Sequence, residues 1–404
     1  MSIGVREILA ARERIAGGVV ATPVIPALGL GDRLPCATHL KLESAQRTGS
    51  FKDRGALNRL LVLTPAERGR GIVTASAGNH AQAVAYHGAR LGLDVTVVMP
   101  EHTPLVKRSN TAGFGATVRM HGATLAESIV EARRLEAAEA RTFVHAYDDA
   151  DVIAGQGTIG LELLEQVPDA TVVLVPIGGG GLIAGIATAM KERRPDIRIV
   201  GVEAAAAASA RASRDAGAIV HLESVETIAD GIAVKRVGDL TFPIIERYVD
   251  DIVVVDDVRI AGAVHLLLER QKLLAEGAAA TVVAALLAGA VRLRPQDVVA
   301  AVISGGNIDV TLLERIIDRG LVADGRLARL SVTVKDRPGQ LGRLTQLVAA
   351  EGANVVEVAH RRAFADISVR DVDIALHLET RGREHMDAVL ARLRAEGYVV
   401  REEG

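Results

Sequence analysis

Up to about residue 320, short uniformly apolar runs alternate with longer stretches of helical periodicity. Ile72–Ala75 leads through a glycine-containing turn into a helical run, Ala81–Leu91, and Val95–Met99 stops at Pro100. Thr171–Ile177 runs into glycines and is followed by helical Leu182–Arg194. Ile197–Val202, Ile252–Val255 and Val298–Ile303 repeat the theme. A strand with no polar alternation is buried on both faces, and such strands separated by helices predict a parallel sheet covered on each side. The expected class is α/β, doubly wound.

The rhythm changes near Arg319–Arg329, where Gly320, Gly325 and several charges read as a linker. Beyond it Ala328–Val334 alternates as a half-buried strand does, Asp336-Arg337-Pro338-Gly339 reads as a turn, and Gln340–Glu351 as an amphipathic helix. Asn354–His360 and Asp373–Glu379 read as strands, Glu384–Ala395 as a helix, and Tyr398–Arg401 as a last strand. That is β-α-β-β-α-β, the ferredoxin-like order. The predicted organisation is a catalytic region over 1–320, a linker over 321–328 and a second domain over 329–404.

Composition narrows the function classes. Apolar residues make up 49% of the 404 residues but aromatics only 2%, so the core must be built from aliphatics and alanine. A net charge of -3 supplies no basic face, and few rings exist to stack on bases, which argues against nucleic acid as a partner. Cys36 is the only cysteine, so no intrachain disulfide forms and a reducing compartment is expected. The stretch up to Ile15 mixes charges with apolar residues at helical spacing and has no signal core, and the alanine-rich run Ala278–Ala290 is too short to span a bilayer. A cytoplasmic protein without membrane attachment is the expectation.

Lysine is scarce. Only Lys41, Lys52, Lys107, Lys191, Lys235, Lys272 and Lys335 contribute to the 47 basic residues, the rest being arginine. An amine can lose its proton and attack a carbonyl, which a guanidinium cannot, so Lys52 in Ser50-Phe51-Lys52-Asp53-Arg54-Gly55 is a candidate Schiff-base residue. Asp53 and Arg54 beside it read as structural ion-pair formers. Gly178-Gly179-Gly180-Gly181-Leu182 follows a buried strand and opens a helix, an arrangement that turns several N–H groups toward one anion. The spacing is not G-x-G-x-x-G, which sets it apart from a dinucleotide loop. Ser76-Ala77-Gly78-Asn79-His80 is a second strand-to-helix turn that can hold a carboxylate; an Asn turn capping the next helix fits the same residues. Ser304-Gly305-Gly306-Asn307 is a third, where Ser304 either meets a heterocyclic nitrogen or closes a tight loop. All three turns follow the carboxyl ends of predicted strands, where open α/β sheets bind ligands. A phosphate cradle, an amine, a carboxylate loop and a ring-nitrogen partner together fit pyridoxal 5′-phosphate and an amino-acid substrate.

These residues also resemble a known family, the fold type II pyridoxal-phosphate enzymes, and among them the threonine dehydratases (threonine ammonia-lyases). The resemblance spans essentially the whole chain. It rests on SFKDRG at 50–55, SAGNHAQ at 76–82, AGQGTIG at 154–160, GGGGLIAG at 178–185, ADGIAV at 229–234, AEGAAA around Glu276 and SGGN at 304–307. It implies that Lys52 is the Schiff-base lysine, Asn79 the partner of the cofactor's ring hydroxyl, Gly178–Leu182 the phosphate loop and Ser304 the partner of the pyridine nitrogen. Phe51, Gly231 and Glu276 fall in the same motifs as further cofactor contacts, with Glu276 either near the ring or capping a helix. Ser76–His80 and Gln156 are the implied substrate residues, although Gln156 at a helix start with a buried amide fits equally. A small subdomain of about 43–146, closing on a larger one, is implied too.

The implied reaction is deamination of L-threonine, and of L-serine, by Cα proton abstraction and loss of the β-hydroxyl. Serine racemases are the close alternative, but where they carry a second serine as the base on the opposite face this chain has Ala77. Their cation site has a Glu, a backbone carbonyl and an Asp; Glu203 and Ala207 match and Ser209 does not, leaving a monovalent cation, a divalent one or none. A non-catalytic amino-acid sensor is the alternative from another class. The C-terminal segment resembles an ACT domain, which implies an amino-acid effector such as isoleucine, or a purely oligomerising role, in a homo-oligomer (dimer or tetramer).

Overall fold

The computed structural model describes residues 3–361 and 370–403. Met1 and Ser2 of the N-terminal stretch, and Gly404 of the predicted second domain, lie outside the described residues. The chain divides into two units, Met1–Ile308 and Asp309–Gly404.

In the first unit, β1 (Val24–Pro26), β2 (Ala37–Leu42), β7 (Val172–Pro176), β8 (Arg198–Ala204), β9 (Asp251–Val255) and β10 (Val298–Ile303) form one sheet. Its order is β1-β2-β10-β7-β8-β9, parallel except for the β1–β2 edge pair. The sequence pattern explains the centre: every residue of β7 is buried, as are all but the first of β8 and β10. A second sheet, β5-β4-β3-β6, comprises β3 (Ile72–Ala75), β4 (Val95–Met99), β5 (Thr117–Met120) and β6 (Thr142–Phe143), all parallel. It falls within the segment expected to be a small subdomain.

Five helices matter for the site: α1 (Lys52–Leu61), α2 (Asn79–Arg90), α3 (Ala150–Gln166), α4 (Gly181–Lys191) and α5 (Gly277–Leu287). The alanine-rich α5 is buried on every face from Gly277 to Leu286, so it is a core helix. Its small side chains fill the interior that so few aromatics leave to aliphatics. No helix among the described residues is long and apolar enough to cross a membrane.

The second unit has the anticipated β-α-β-β-α-β order. Strands β11 (Leu327–Lys335), β12 (Asn354–Arg361), β13 (Asp371–Glu379) and β14 (Val399–Glu403) are arranged β12-β13-β11-β14 with antiparallel pairing, and helices Gln340–Ala350 and Arg383–Ala395 cover the sheet. Burial alternates along β11, as one covered face requires. Leu330, Val332, Leu344, Val348 and Leu376 form its core.

The boundary differs from the expected one. Helix α6 (Val310–Ala323) groups with the second unit, so the division falls after Ile308, and the expected linker over 321–328 is a helix end, a turn and the first residues of β11. Gly320 lies inside the helix. Only Gly325, at φ +67, ends it in the left-handed region that glycine tolerates best.

Candidate active site

Lys52 is the first residue of α1, and its reach is set by what precedes it. The Phe51 N–H donates to the Ser304 carbonyl at 3.0 Å, and Ser50 bridges Gly305, so the lysine-bearing helix starts from the end of β10. The half-buried amine donates to the carbonyl of Ala146 at 2.6 Å and stands 5.0 Å from the centre of the Phe51 ring. Burial drives its pKa from 10.5 down to about 8, with the Glu276 carboxylate pulling the other way. A tenth of such amines are neutral about one unit below the midpoint, which makes Lys52 a competent base near neutrality.

The glycine loop ends β7, beside β10 in the sheet. Gly180 has φ +92, and the N–H groups of Gly181 and its successors open α4 without intrahelical partners. A Cβ on Gly179 would stand 2.3 Å from the Tyr147 ring, and one on Gly178 2.9 Å from Ile232. The loop is therefore bare backbone by necessity. With the helix-start partial charge, this is the chemistry a phosphate requires, and the residues fit the phosphate of pyridoxal 5′-phosphate.

Asn79 starts α2 on the small sheet's side. Its amide N–H group donates to both oxygens of Glu276, at 2.9 and 3.0 Å, and its oxygen accepts from Asn307 at 2.8 Å. Asn307 also donates to the Thr48 carbonyl at 2.7 Å. Residues far apart in sequence thus meet in one polar row. Glu276 occupies the N-cap position of α5 but makes no capping bond with its side chain. Burial raises its pKa, and the Asn79 bond opposes that. The Gly231 Cα side faces Glu276 as well, since a Cβ there would lie 3.3 Å from the carboxylate.

Other predicted residues are placed as follows. Ser76 Oγ accepts from the Gly78 N–H at 3.2 Å, so the Ser76–Gly78 turn, with Ala77 at its apex, is closed on itself. His80 is buried with Nε2 3.1 Å from the Val144 carbonyl; burial, reinforced by Lys52, takes its pKa down to about 3 and keeps it neutral. Gln156 lies in the middle of α3, not at a helix start, and its oxygen accepts from the Gly55 N–H of α1 at 3.2 Å. Ser304 and Leu182 are buried at the ends of their turns. Glu203 accepts from the N–H groups of Ala210 and Arg211, each at 2.8 Å, and burial lifts its pKa to about 7 against those bonds. Its carboxylate holds the start of the helix Ser209–Ala216, which follows the turn containing Ala207, while the Ser209 hydroxyl is buried without a partner.

Two contributors were not legible in the sequence. Ala146 acts through its carbonyl, which no side-chain motif announces. Tyr147 packs on the glycine loop, and nothing in the run of glycines announces a ring above it.

The chain matches the family described as "Pyridoxal-phosphate dependent enzyme" over residues 15–305 and the ACT domain over residues 328–397. It is 46% identical to an L-threonine ammonia-lyase of Thermotoga maritima over 90% of each chain, and 45% identical to one of Geobacter sulfurreducens over 96% of this chain and 97% of the other. A solved structure of maize serine racemase superposes with a TM-score of 0.75 at 34% identity, covering 80% of this chain and 99% of that one. A lysine at the meeting of a bare glycine loop and an Asn–Glu pair, on this sheet order and with these relatives, makes the chain a member of the pyridoxal-phosphate-dependent enzymes of the threonine ammonia-lyase type, with a C-terminal ACT domain.

Proposed function

We propose that this chain deaminates L-threonine to 2-oxobutanoate and ammonia, and L-serine to pyruvate, with Lys52 as the Cα base. The observation that carries the assignment of Lys52 is its place: the amine donates to the Ala146 carbonyl at 2.6 Å, and the next residue, Tyr147, packs on the glycine loop. Pyridoxal 5′-phosphate, when bound, supplies the electron sink for the Cα charge. Gly178–Leu182 would hold its phosphate through backbone N–H groups, and Ser304 would meet its ring nitrogen. A hydroxyl there cannot keep that nitrogen protonated as a carboxylate would, which favours prompt loss of a leaving group over a long-lived carbanion. The N–H groups of Ser76–Asn79 would take the substrate carboxylate. Lys52 removes the Cα proton, the Cβ–O bond breaks with the hydroxyl leaving as water, the proton it gains matching the one that Lys52 removed, and the released enamine takes up water to give the 2-oxo acid and ammonia. His80, held neutral, adds no competing positive charge.

Racemisation is the second reading, favoured by the likeness to the maize enzyme. It needs an acid on the opposite face, and Ala77 has none. With the purified, cofactor-loaded chain, equal yields of 2-oxobutanoate and ammonia from L-threonine support elimination. D-serine from L-serine in excess of pyruvate would reverse the assignment.

The ACT domain serves an amino-acid effector. Its cleft of about 310 Å³ at the β11 turn combines Asp336, Arg337 and Gly339 with Val334, Leu341 and Ile374. Charged groups beside an aliphatic wall suit a branched-chain zwitterion, isoleucine first, acting on a cytoplasmic homo-oligomer. Arg337→Ala should remove the response of kcat to isoleucine and leave turnover without isoleucine unchanged. At Glu203, Ala207 and Ser209, the carboxylate engaged with two N–H groups and the neutral hydroxyl suit a weakly held monovalent cation better than a divalent one.

A further inference from the structure

Directly behind Lys52 lies a cluster of charges that the reaction does not use. Arg54 is fully buried, and a separation of two residues in a helix, about 200°, turns it away from Lys52. Its guanidinium donates to both oxygens of Glu43 at 2.8 Å, and to the two oxygens of Glu162 at 2.6 and 2.9 Å. Glu43 follows β2 and Glu162 belongs to α3, so one side chain of α1 ties the helix to two separate elements. Lys41, fully buried on β2, completes the group: it donates to Glu162 at 2.5 Å, to Gln166 at 2.8 Å and to the Thr22 carbonyl at 2.8 Å. Thr22 Oγ1 donates to Glu43 at 2.6 Å, and Arg54 reaches Thr158 at 3.1 Å. Two cations and two carboxylates balance.

A buried ion cluster is weak evidence for stability, because desolvation of each charge offsets most of the attraction. What it supplies is geometry. The planar fork of arginine fixes direction on both sides, which lysine cannot do. Burial pushes the Glu43 pKa up, yet Arg54, with Thr22 and Lys41, more than reverses it, so the pair stays ionised.

We propose that Arg54, clamped between Glu43 and Glu162 with Lys41 as counter-charge, is a positioning residue that fixes the first turn of α1 and thereby the placement of the Lys52 amine. The inference rests on the reading of Lys52 as the base.

The test is Arg54→Lys in the full-length chain, which keeps the charge and loses the fork. Three readouts apply: cooperative thermal unfolding, kcat and KM for L-threonine with cofactor bound, and, in the cofactor-free chain, the pH midpoint for acetylation of the Lys52 amine followed by mass spectrometry. A misplacement of about 1 Å costs about 10²-fold in rate, so kcat should fall to that degree with KM within about threefold. The Lys52 midpoint should rise from about 8 toward 10.5 as water reaches the loosened helix start. A folded variant in which either kcat or the midpoint is unchanged overturns the proposal. If Arg54→Lys does not fold, Lys41→Met/Glu162→Gln removes one balanced arm, and the same two criteria apply. Failure of both variants to fold also overturns it, since the cluster would then serve the fold and not the lysine. An inactive wild type would sink the lyase reading, leaving the acetylation midpoint, which needs no substrate, to decide this one.

Discussion

Replacing Glu276 with Gln separates the two influences on Lys52. In the wild type, burial takes the amine down to about 8 and Glu276 holds it up. About one tenth of the amine is then neutral at pH 7, against about 0.03% for an ordinary lysine near 10.5, a ratio of about 300-fold. The amide introduced by Glu276→Gln keeps the shape of the carboxylate and loses its charge, so only the burial contribution remains and the midpoint must fall below the wild-type value. The assay is acetylation of the cofactor-free, full-length chain across pH 6–11, with the Lys52 peptide quantified by mass spectrometry and normalised to its own plateau. A lysine model peptide in the same reaction, titrating at about 10.4, serves as the reference. The expected order of midpoints, lowest first, is Lys52 in the Glu276→Gln variant, then Lys52 in the wild type, then the model peptide. The acid limb of kcat, which reports the substrate complex in which the amine is free, should move to lower pH with the first of these. A Lys52 profile that coincides with the model peptide, or a Glu276→Gln midpoint above the wild-type one, would refute the reasoning.

Two further substitutions probe the loops. Gly179→Ala drives a methyl group to 2.3 Å from the Tyr147 ring, so ring or loop must shift; cofactor titration should show weakened binding, and stability should fall by about 1–3 kcal/mol. Asn79→Ala leaves the Glu276 carboxylate without its donor, at a cost of about 1–3 kcal/mol when Glu276 is ionised. The Glu276 pKa is already raised by burial, so the folded chain binds a proton there that the unfolded chain has released, and stability from this group declines as pH rises through that window. Loss of the donor deepens the decline. Denaturant unfolding should therefore show a larger Asn79→Ala deficit at pH 8 than at pH 5, and an equal deficit at both would contradict it.

Much of this arrangement was legible in the residues. The uniformly apolar β7 and β10 announce strands covered on both faces, and the turns after them are the candidate site because ligands in open α/β sheets bind at the carboxyl ends of strands. The alternation in β11 announced the change of architecture in the second unit. Other features were hidden because they depend on partners remote in sequence. Nothing local tells that Glu276 turns from its own helix start to Asn79, or that Ala146 offers a carbonyl to Lys52. Arg54 read as an ion-pair former, and it is one, but its second partner lies on α3. The end of helix α6 read as the start of a linker because Gly320 and Gly325 look alike in sequence, whereas only Gly325 adopts a conformation that stops a helix.

The central claim is that Lys52 is the amine that holds the cofactor and moves the Cα proton. Borohydride reduction of the cofactor-loaded chain, followed by peptide mapping, tests it most directly, with Lys52→Ala assayed on L-threonine in parallel. The account predicts the reduced adduct on the Ser50–Gly55 peptide alone, and no 2-oxobutanoate from the variant. An adduct on any other lysine, or turnover by Lys52→Ala at the wild-type rate, would contradict it.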